Sequence, residues 1–245
     1  MRRLATLALL AMASAPHAQT CSDWGKTGRQ LHADDFNGGL AQWVSEFKPV
    51  AGSAIAAEKG KLLMDLAGDA TLWFKPALTG DVRISYRRKV LMAGGANDRL
   101  SDMNQFWMAS DPRNADLFTR DGTFSQYDSL RLYYAGIGGN TNTTTRFRKY
   151  EGNGERVLHA DLADAAHLLQ PNREYAIQID VYQGCTRLLV DGREYFSFKD
   201  PAPLRGGHFG FRTTHSRQEI SGFKVHRLLG GTRAGVVPGA GSGVK

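Results

Sequence analysis

Alternation of apolar and polar residues dominates the chain from Leu31 onward. Residues 82–87 (VRISYR) and residues 175–182 (YAIQIDVY) both place apolar side chains at every second position. A period of two predicts strands that bury one face in an antiparallel sheet. Asp191 and Gly192 stand between two apolar runs, and this dipeptide predicts a tight hairpin that joins two further strands.

Helical patterns are scarce along the same stretch. Residues 159–172 (HADLADAAHLLQPN) predict one short helix, which Asp161 would cap and Pro171 would end. We find no segment that repeats at a fixed spacing, which argues against a propeller or a solenoid. Ten or more short strands with frequent turns therefore predict an all-β sandwich or barrel.

The two ends of the chain differ from its middle. The first 18 residues combine two arginines, a short apolar run and small residues, a pattern that predicts a secretory signal peptide. We expect a periplasmic or secreted chain with an extension at residues 19–30, one domain at residues 31–229 and a disordered glycine-rich tail at residues 230–245. Oxidation there would allow Cys21 and Cys185 to form a disulfide, although the sequence does not show whether they meet.

Three stretches of the predicted domain carry a resemblance to a known superfamily. DDFNGGLAQWVSE near the start, LLVDGREYFSFKDPAPLRGGHFGFRTTHS and the closing ISGFKVHRL resemble the concanavalin A-like lectin/glucanase superfamily. They are most similar to small bacterial concanavalin-like proteins associated with pectin and rhamnogalacturonan utilisation. The resemblance implies a concanavalin A-like jelly roll, a sandwich of two curved antiparallel sheets, with a ligand that lies across the concave sheet.

Charge narrows the choice of partner. The formal net charge is +7, and loss of Arg2 and Arg3 with the signal peptide would lower it by two. A moderately basic exported protein favours an acidic polysaccharide or oligosaccharide, since the same Coulomb attraction acts on any polyanion. The alternative is a solvated basic surface without a charged partner. We expect no nucleic acid or membrane partner and a monomeric chain.

Polar and aromatic residues between positions 104 and 215 supply the candidate chemistry. Cleavage of a uronate polymer by β-elimination requires a base at C5 and donors that neutralise the carboxylate. We predict Tyr133 as the acid–base group, because Leu132 and Tyr134 are expected to face the core and Tyr133 the open face. Its neighbour Tyr134 is the alternative. His215 is predicted as a second base, and Arg146 completes the predicted catalytic set. The predicted substrate-binding residues are Asn104, Gln105, Trp107, Arg131, Asn140, Asn142, Arg148 and Arg212.

Other interpretations of the same residues stay open. Two diagnostic strands of the jelly-roll alginate lyases, RxExR and YFKxGxYxQ, are absent, so a non-catalytic glycan-binding or accessory module is the main alternative. A glycoside hydrolase needs two carboxylic acids, and the ExDxxE pattern of the superfamily's glucanases is also absent. The tyrosines and arginines could equally be ordinary sheet and edge residues. No cofactor or catalytic metal is expected, although DDFNGGL could hold a structural calcium ion.

Overall fold

The computed structural model describes residues 21–230, and strands make up most of them. The strands are β1 Lys26–Asp34, β2 Trp43–Phe47, β3 Ala54–Glu58, β4 Lys61–Phe74, β5 Leu78–Thr79, β6 Val82–Val90, β7 Met103–Ser110, β8 Arg131–Gly138, β9 Thr144–Glu151, β10 Arg156–Leu162, β11 Glu174–Tyr182, β12 Cys185–Val190, β13 Arg193–Lys199 and β14 Gly206–Leu229. Two 3₁₀ turns, Phe124–Tyr127 and Ala165–His167, and one α turn, α1 Gly139–Asn142, complete the elements. The predicted signal peptide and all but the first residue of the predicted tail lie outside the described residues. No helix within the described range is long and apolar enough to cross a membrane.

One long strand joins the two layers of the fold. The strand order is β10-β9-β8-β7-β14-β6-β11-β12-β13, and β4, β1 and β5 also pair with β14, while β2 and β3 pair with β4. The first part of β14 pairs with β7 at residues 208–212, and its later part pairs with β6 at residues 218–227. All these pairs are antiparallel. The all-β, jelly-roll prediction is therefore confirmed, with β14 passing from one curved layer into the other.

The main core lies between the two layers. Trp107 on β7 is fully buried, and its indole nitrogen donates to Thr186 Oγ1 on β12 at 2.9 Å. Phe147 on β9 stacks on Phe196 of β13 with ring centroids 5.8 Å apart. Strands β7, β8 and β9 therefore pack their inner face against β12 and β13, which leaves their other face as the concave surface.

The strands predicted from strict alternation are present. Val82, Ile84 and Tyr86 on β6 are buried, in step with the period-two pattern. Asp191 and Gly192 connect β12 to β13 with φ angles of 51° and 80°, the two positive values that a type I′ hairpin requires. The turn chemistry and the alternation thus predicted this half of the sandwich correctly.

The predicted helix over residues 159–172 is wrong. Strand β10 continues to Leu162, because its backbone groups pair with β9 from Arg156 onward. The helical content of the segment is a 3₁₀ turn, which Asp164 rather than Asp161 caps by accepting from the Ala166 amide at 3.1 Å. Partner strands supplied the hydrogen bonds that a helix would otherwise have supplied itself.

The N-terminal extension belongs to the sheet. Strand β1 begins at Lys26, five residues before the predicted domain boundary, and pairs with the end of β14. Cys21 forms a disulfide with Cys185, with the two Cα atoms 6.0 Å apart. The bridge links the start of the described chain to β12 across 164 residues of sequence.

The DDFNGGL segment uses its carboxylates inside the protein. Asp34 Oδ2 accepts from the Trp43 indole at 2.8 Å, and Asp34 Oδ1 accepts from the Phe36 amide at 2.7 Å. Asp35 Oδ1 accepts from the Asn37 amide. These bonds give the segment a structural role as a turn, and within residues 21–230 no group of three His, Cys, Asp or Glu side chains could hold a metal ion.

Candidate functional site

The concave surface carries an aromatic cluster of its own, separate from the main core. Its sheet residues include Trp73, Phe106 and Tyr134, and it is covered by residues 111–130, the covering loop, between β7 and β8. Tyr127 of this loop lies over the Phe106 ring, with centroids 5.4 Å apart. The covering loop therefore buries a large part of a face that the sequence left open to ligand.

A buried carboxylate holds the covering loop on the sheet. Glu46 on β2 accepts from the Trp73 indole at 2.7 Å, from the Tyr127 hydroxyl at 2.8 Å and from the Arg120 amide at 2.8 Å. Burial raises the pKa of Glu46 above its ordinary value, although these hydrogen bonds act in the opposite direction. Arg212 on β14 adds a bond from Nη1 to the Gly122 carbonyl at 3.0 Å.

One row of residues across the concave face stays polar. Strand pairing places Arg146 of β9 opposite Gly136 of β8, Gly136 opposite Asn104 of β7, and Asn104 opposite Arg212 of β14. Side chains at paired positions share a face of the sheet. This polar row, Arg146–Gly136–Asn104–Arg212, therefore presents guanidinium and amide groups side by side.

The adjacent row is mostly aromatic. Arg148 lies opposite Tyr134, Tyr134 opposite Phe106, and Phe106 opposite Gly210, whose other neighbour is Trp73. The covering loop lies over this row through Phe124 and Tyr127. Only the end of this row that holds Tyr134 and Arg148 reaches the open part of the concave face.

A pocket of about 200 Å³ opens where the polar row emerges from beneath the covering loop. Its lining residues are Asp102, Asn104, Phe124, Tyr134, Gly136, Gly139, Asn140, Thr144, Arg146, Arg148, Arg212 and Thr214. Larger and more open depressions exist elsewhere on the surface, but this one gathers the predicted chemistry. We call it the arginine pocket.

Tyr134, Asn104 and Gly136 form the floor of the arginine pocket. The Tyr134 hydroxyl donates to Asn104 Oδ1 at 2.9 Å. A Cβ atom at Gly136 would overlap the Tyr134 hydroxyl and would lie 2.5 Å from Asn104 Oδ1. The glycine thus lets the phenol lie across β8 and reach the amide on the neighbouring strand.

Two of the three pocket arginines retain binding capacity. Arg212 is 1% exposed and uses its terminal nitrogens on Gly122 and Asp69, while its Nε has no acceptor within residues 21–230. Arg146 is paired with Asp161 at 2.9 Å. Arg146 and Arg212 both form ion pairs, whereas Arg148 forms none with the described residues. Three guanidinium groups in one pocket lining, of which Arg148 has no ion-pair partner in the described chain, suit an anionic or strongly accepting ligand group.

Burial keeps the pocket phenol protonated. It raises the pKa of Tyr134 well above the ordinary value of a phenol, and the nearby Tyr150 and Asp102 act in the same direction. The positive charges of Arg148 and Arg212 oppose this shift. In the free protein, Tyr134 is therefore a proton donor at neutral pH.

Five of the predicted site residues meet in the arginine pocket. They are Asn104, Asn140, Arg146, Arg148 and Arg212. They come from β7, β9 and β14 and from the α1 turn, and the strand register described above brings them together. The prediction that Phe147 and Phe211 face the core, and their neighbours the open face, agrees with this arrangement.

Tyr133 does not face the pocket, so its predicted role there is wrong. It is 1% exposed and lies in the main core, where its hydroxyl donates to Asp200 Oδ2 at 2.5 Å. The prediction assigned the two faces of β8 the wrong way round. Leu132 and Tyr134 face the aromatic cluster of the concave side, because that side is also apolar.

Gln105 and Trp107 are also core residues rather than ligand-binding residues. Both have no exposed surface. Gln105 accepts from the Tyr86 hydroxyl at 2.9 Å and donates to the Ala135 carbonyl at 2.7 Å. Their hydrogen bonds are satisfied inside the sandwich, which leaves no group to offer a sugar.

Three further predicted residues lie outside the pocket lining. Arg131 is exposed at the opposite end of β8 and pairs with Glu151 in the strand register. Asn142 is bonded through both ends of its amide to the backbone of Leu169. His215 is exposed at a bulge of β14, one position beyond Thr214, with φ of 41°.

Sequence reasoning undervalued Tyr134 and missed Phe124. Phe124 lies in the covering loop and places its ring 4.4 Å from the Arg212 guanidinium carbon. No local pattern marks it, since the loop has no period. The Tyr-Ala-Gly spacing at 134–136 was the usable signal, because a glycine two positions after a tyrosine on one strand leaves room for its ring.

A domain family described as "Domain of unknown function (DUF6250)" matches residues 64–223. The match spans most of the chain, and the chain belongs to this family. No curated protein matches this chain in sequence.

Solved structures show the same fold at low identity. A Bacillus subtilis protein of unknown function with a galectin-like fold is 18% identical, with a TM-score of 0.70 over 84% of this chain and 99% of that one. The endo-β-1,3-glucanase of Pyrococcus furiosus is 10% identical, with a TM-score of 0.59 over 83% and 95% of the two chains. The carbohydrate-binding module CBM66 of Bacillus subtilis is 11% identical, with a TM-score of 0.52 over 76% and 95%. These similarities confirm the predicted concanavalin A-like fold.

Proposed function

We propose that this chain is an exported, monomeric carbohydrate-active protein that binds a uronate-containing saccharide in the arginine pocket. The observation that carries the proposal is that Arg148, which has no ion-pair partner among the described residues, and Arg212, whose buried Nε–H has no acceptor there, both line one pocket with Arg146. A uronate carboxylate supplies two acceptor oxygens and the opposite charge. The glucanase and binding-module names of the structural neighbours support a glycan as the ligand class.

Binding to purified polymers tests this proposal. Polygalacturonate, rhamnogalacturonan, alginate and glucuronan are compared with neutral glucans by calorimetry at low and high salt. The Arg148→Gln variant should weaken uronate binding by about tenfold or more, since a hydrogen bond to a charged group contributes ~1.5–3 kcal/mol. Arg131→Gln removes the same charge from the same sheet outside the pocket and serves as the matched control. Equal loss in both variants, or binding to none of the acidic polymers, would refute the proposal.

β-Elimination is the second candidate function, and Tyr134 favours it. Tyr134 lines the pocket together with three arginines, and its phenol can transfer a proton at the bond that is broken. The arginines would neutralise the carboxylate and so acidify the adjacent C5 proton. In the balanced step the Tyr134 phenolate takes the C5 proton, the C4–C5 double bond forms as the C4–O bond breaks, and the resulting phenol gives that proton to the leaving oxygen. The arginine charges favour the phenolate, whereas burial and the substrate carboxylate oppose it.

Ultraviolet absorbance of unsaturated uronates distinguishes cleavage from binding. A lyase raises this absorbance, and Tyr134→Phe should abolish the rise while Tyr133→Phe preserves it. An unchanged rate in Tyr134→Phe would exclude the assignment. Absence of the absorbance together with retained binding would indicate a non-catalytic module.

Hydrolysis finds less support in the pocket. Asp102 is the single carboxylate among the described lining residues, and it pairs with Arg99. A pair of carboxylic acids on either side of a glycosidic bond is therefore not assembled there.

A further inference from the structure

The arginine pocket is closed at one end of its polar row. Beyond Arg212, strand pairing continues the row to Thr71 on β4 and Glu46 on β2. Both residues are buried, with 0% and 3% exposure, and the covering loop lies directly upon them. A Cβ atom at Gly122 of the loop would lie 2.7 Å from the Glu46 carbonyl oxygen, which shows how closely the two backbones approach.

The wall at this end is fixed in place. Arg212 Nη1 bonds to the Gly122 carbonyl, and the Phe124 ring packs on the same guanidinium. Glu46 bonds to the Tyr127 hydroxyl and the Arg120 amide from below. Several bonds from buried groups make the covering loop a permanent part of the pocket.

The opposite end of the row is open. Arg146 and its partner Asp161 are 29% and 35% exposed, and Asn140 on the α1 turn is exposed as well. The pocket volume of about 200 Å³ equals about seven water volumes of ~30 Å³ each. That is room for a single pyranose ring and its substituents, with an exit past β9 and β10.

We infer that the arginine pocket takes the terminal unit of a uronate chain, with the remainder of the chain leaving over β9 and β10. This inference rests on the proposed function, and it defines which part of the polymer is the ligand. A polymer bound along its length needs an open surface on both sides of the occupied unit. The covering loop blocks one of those sides over β14, β4 and β2.

Stoichiometry on size-fractionated polymer tests the inference with the unmodified protein. A short and a long fraction of the acidic polymer that binds are compared at equal mass by calorimetry. Terminal recognition predicts that protein bound per gram falls by the ratio of the two mean chain lengths, with about one protein per chain. It also predicts that chemical change of one terminus, by reduction of the reducing end or by unsaturation of the other end, abolishes binding.

The possible failures are distinguishable. Equal amounts of protein bound per gram of both fractions would overturn terminal recognition and leave uronate binding intact. Binding that survives modification of both ends would overturn it as well. Absence of binding to every acidic polymer would remove the proposed function, and the inference with it. As an independent check, a single uronate monosaccharide should compete with the short fraction, and its failure to compete would count against a one-unit pocket.

Discussion

The adjacent tyrosines of β8 allow a sharp test, because they point to opposite faces. The change Tyr133→Phe removes one hydroxyl from the core. That hydroxyl donates to Asp200 Oδ2 and accepts from the Leu204 amide at 3.1 Å. Asp200 and its other partner, Lys149, are themselves buried, at 3% and 4% exposure.

The size of the effect follows from this network. A hydrogen bond to a charged group contributes about 1.5–3 kcal/mol, and the Leu204 amide also loses its acceptor. Lys149 Nζ still donates to Asp200 at 3.0 Å, so the carboxylate keeps a charged partner. We therefore expect Tyr133→Phe to lower the free energy of unfolding by about 2–3 kcal/mol, or about 4–12 °C in melting temperature for a domain of this size.

Tyr134→Phe is the matched comparison. It removes a neutral hydrogen bond to Asn104, whose amide faces the pocket where water can replace the phenol. The expected loss is about 1 kcal/mol or less. Urea unfolding measures both variants, with an unchanged dependence on denaturant as evidence that the folded and unfolded states keep their compactness.

Each variant should change mainly one measured property, the free energy of unfolding for Tyr133→Phe and uronate binding for Tyr134→Phe. Tyr133→Phe should bind uronate polymers like the unmodified protein, while Tyr134→Phe should not. A Tyr133→Phe variant that keeps full stability and loses binding would refute the assignment of the two faces and, with it, the arginine pocket.

Three further variants test the supports of the fold and the pocket. Replacement of both Cys21 and Cys185 by Ser should cost about 2–4 kcal/mol in denaturant unfolding, and a reductant should then have no further effect, in contrast to the unmodified protein. Glu46→Gln should flatten the pH dependence of stability. The pKa of Glu46 is higher in the folded than in the unfolded state, so its destabilising contribution is absent below the unfolded pKa of 4.5 and grows as the pH rises to the folded pKa. The unfolding free energy of the unmodified protein minus that of the variant should therefore fall with rising pH, and a difference that does not fall would contradict this. Gly136→Ala should displace Tyr134 and Asn104 and remove uronate binding, whereas Gly38→Ala, where a Cβ atom meets nothing within 4 Å, should leave binding unchanged.

The sequence predicted strands well where one face meets solvent. Strand β6 alternates buried core residues with exposed or half-exposed Arg83, Arg87 and Lys89, so its period of two is visible. Strand β7 is buried at seven of its eight positions, and β8 likewise, because the main core covers one face and the aromatic cluster covers the other. Alternation then disappears from the sequence, and the inner and outer faces of these strands can no longer be told apart.

The error over Tyr133 follows from this double burial. With both faces apolar, Leu132 gave no information about which side was the core. On β9, by contrast, Phe147 lies between Arg146 and Arg148, and the prediction of their faces was correct. The register between distant strands could not be predicted from the sequence for a different reason. It depends on strands that are far apart along the chain, as in the pairing of Asn104 with Arg212.

The position of the pocket follows from how the covering loop buries the apolar part of the concave face. Trp73, Phe106 and Tyr134 make the concave face too apolar to stay exposed, so the covering loop must lie over them. The loop in turn needs polar anchors beneath it, and Glu46 and Arg212 supply them from the sheet. Arg212 bonds to the loop through Nη1 and also lines the pocket, so one side chain both fixes the wall and contributes positive charge to the pocket. The exposed groups of the polar row are therefore confined to the margin where the loop ends, and this confinement, rather than the curvature of the sheet, sets the size of the pocket.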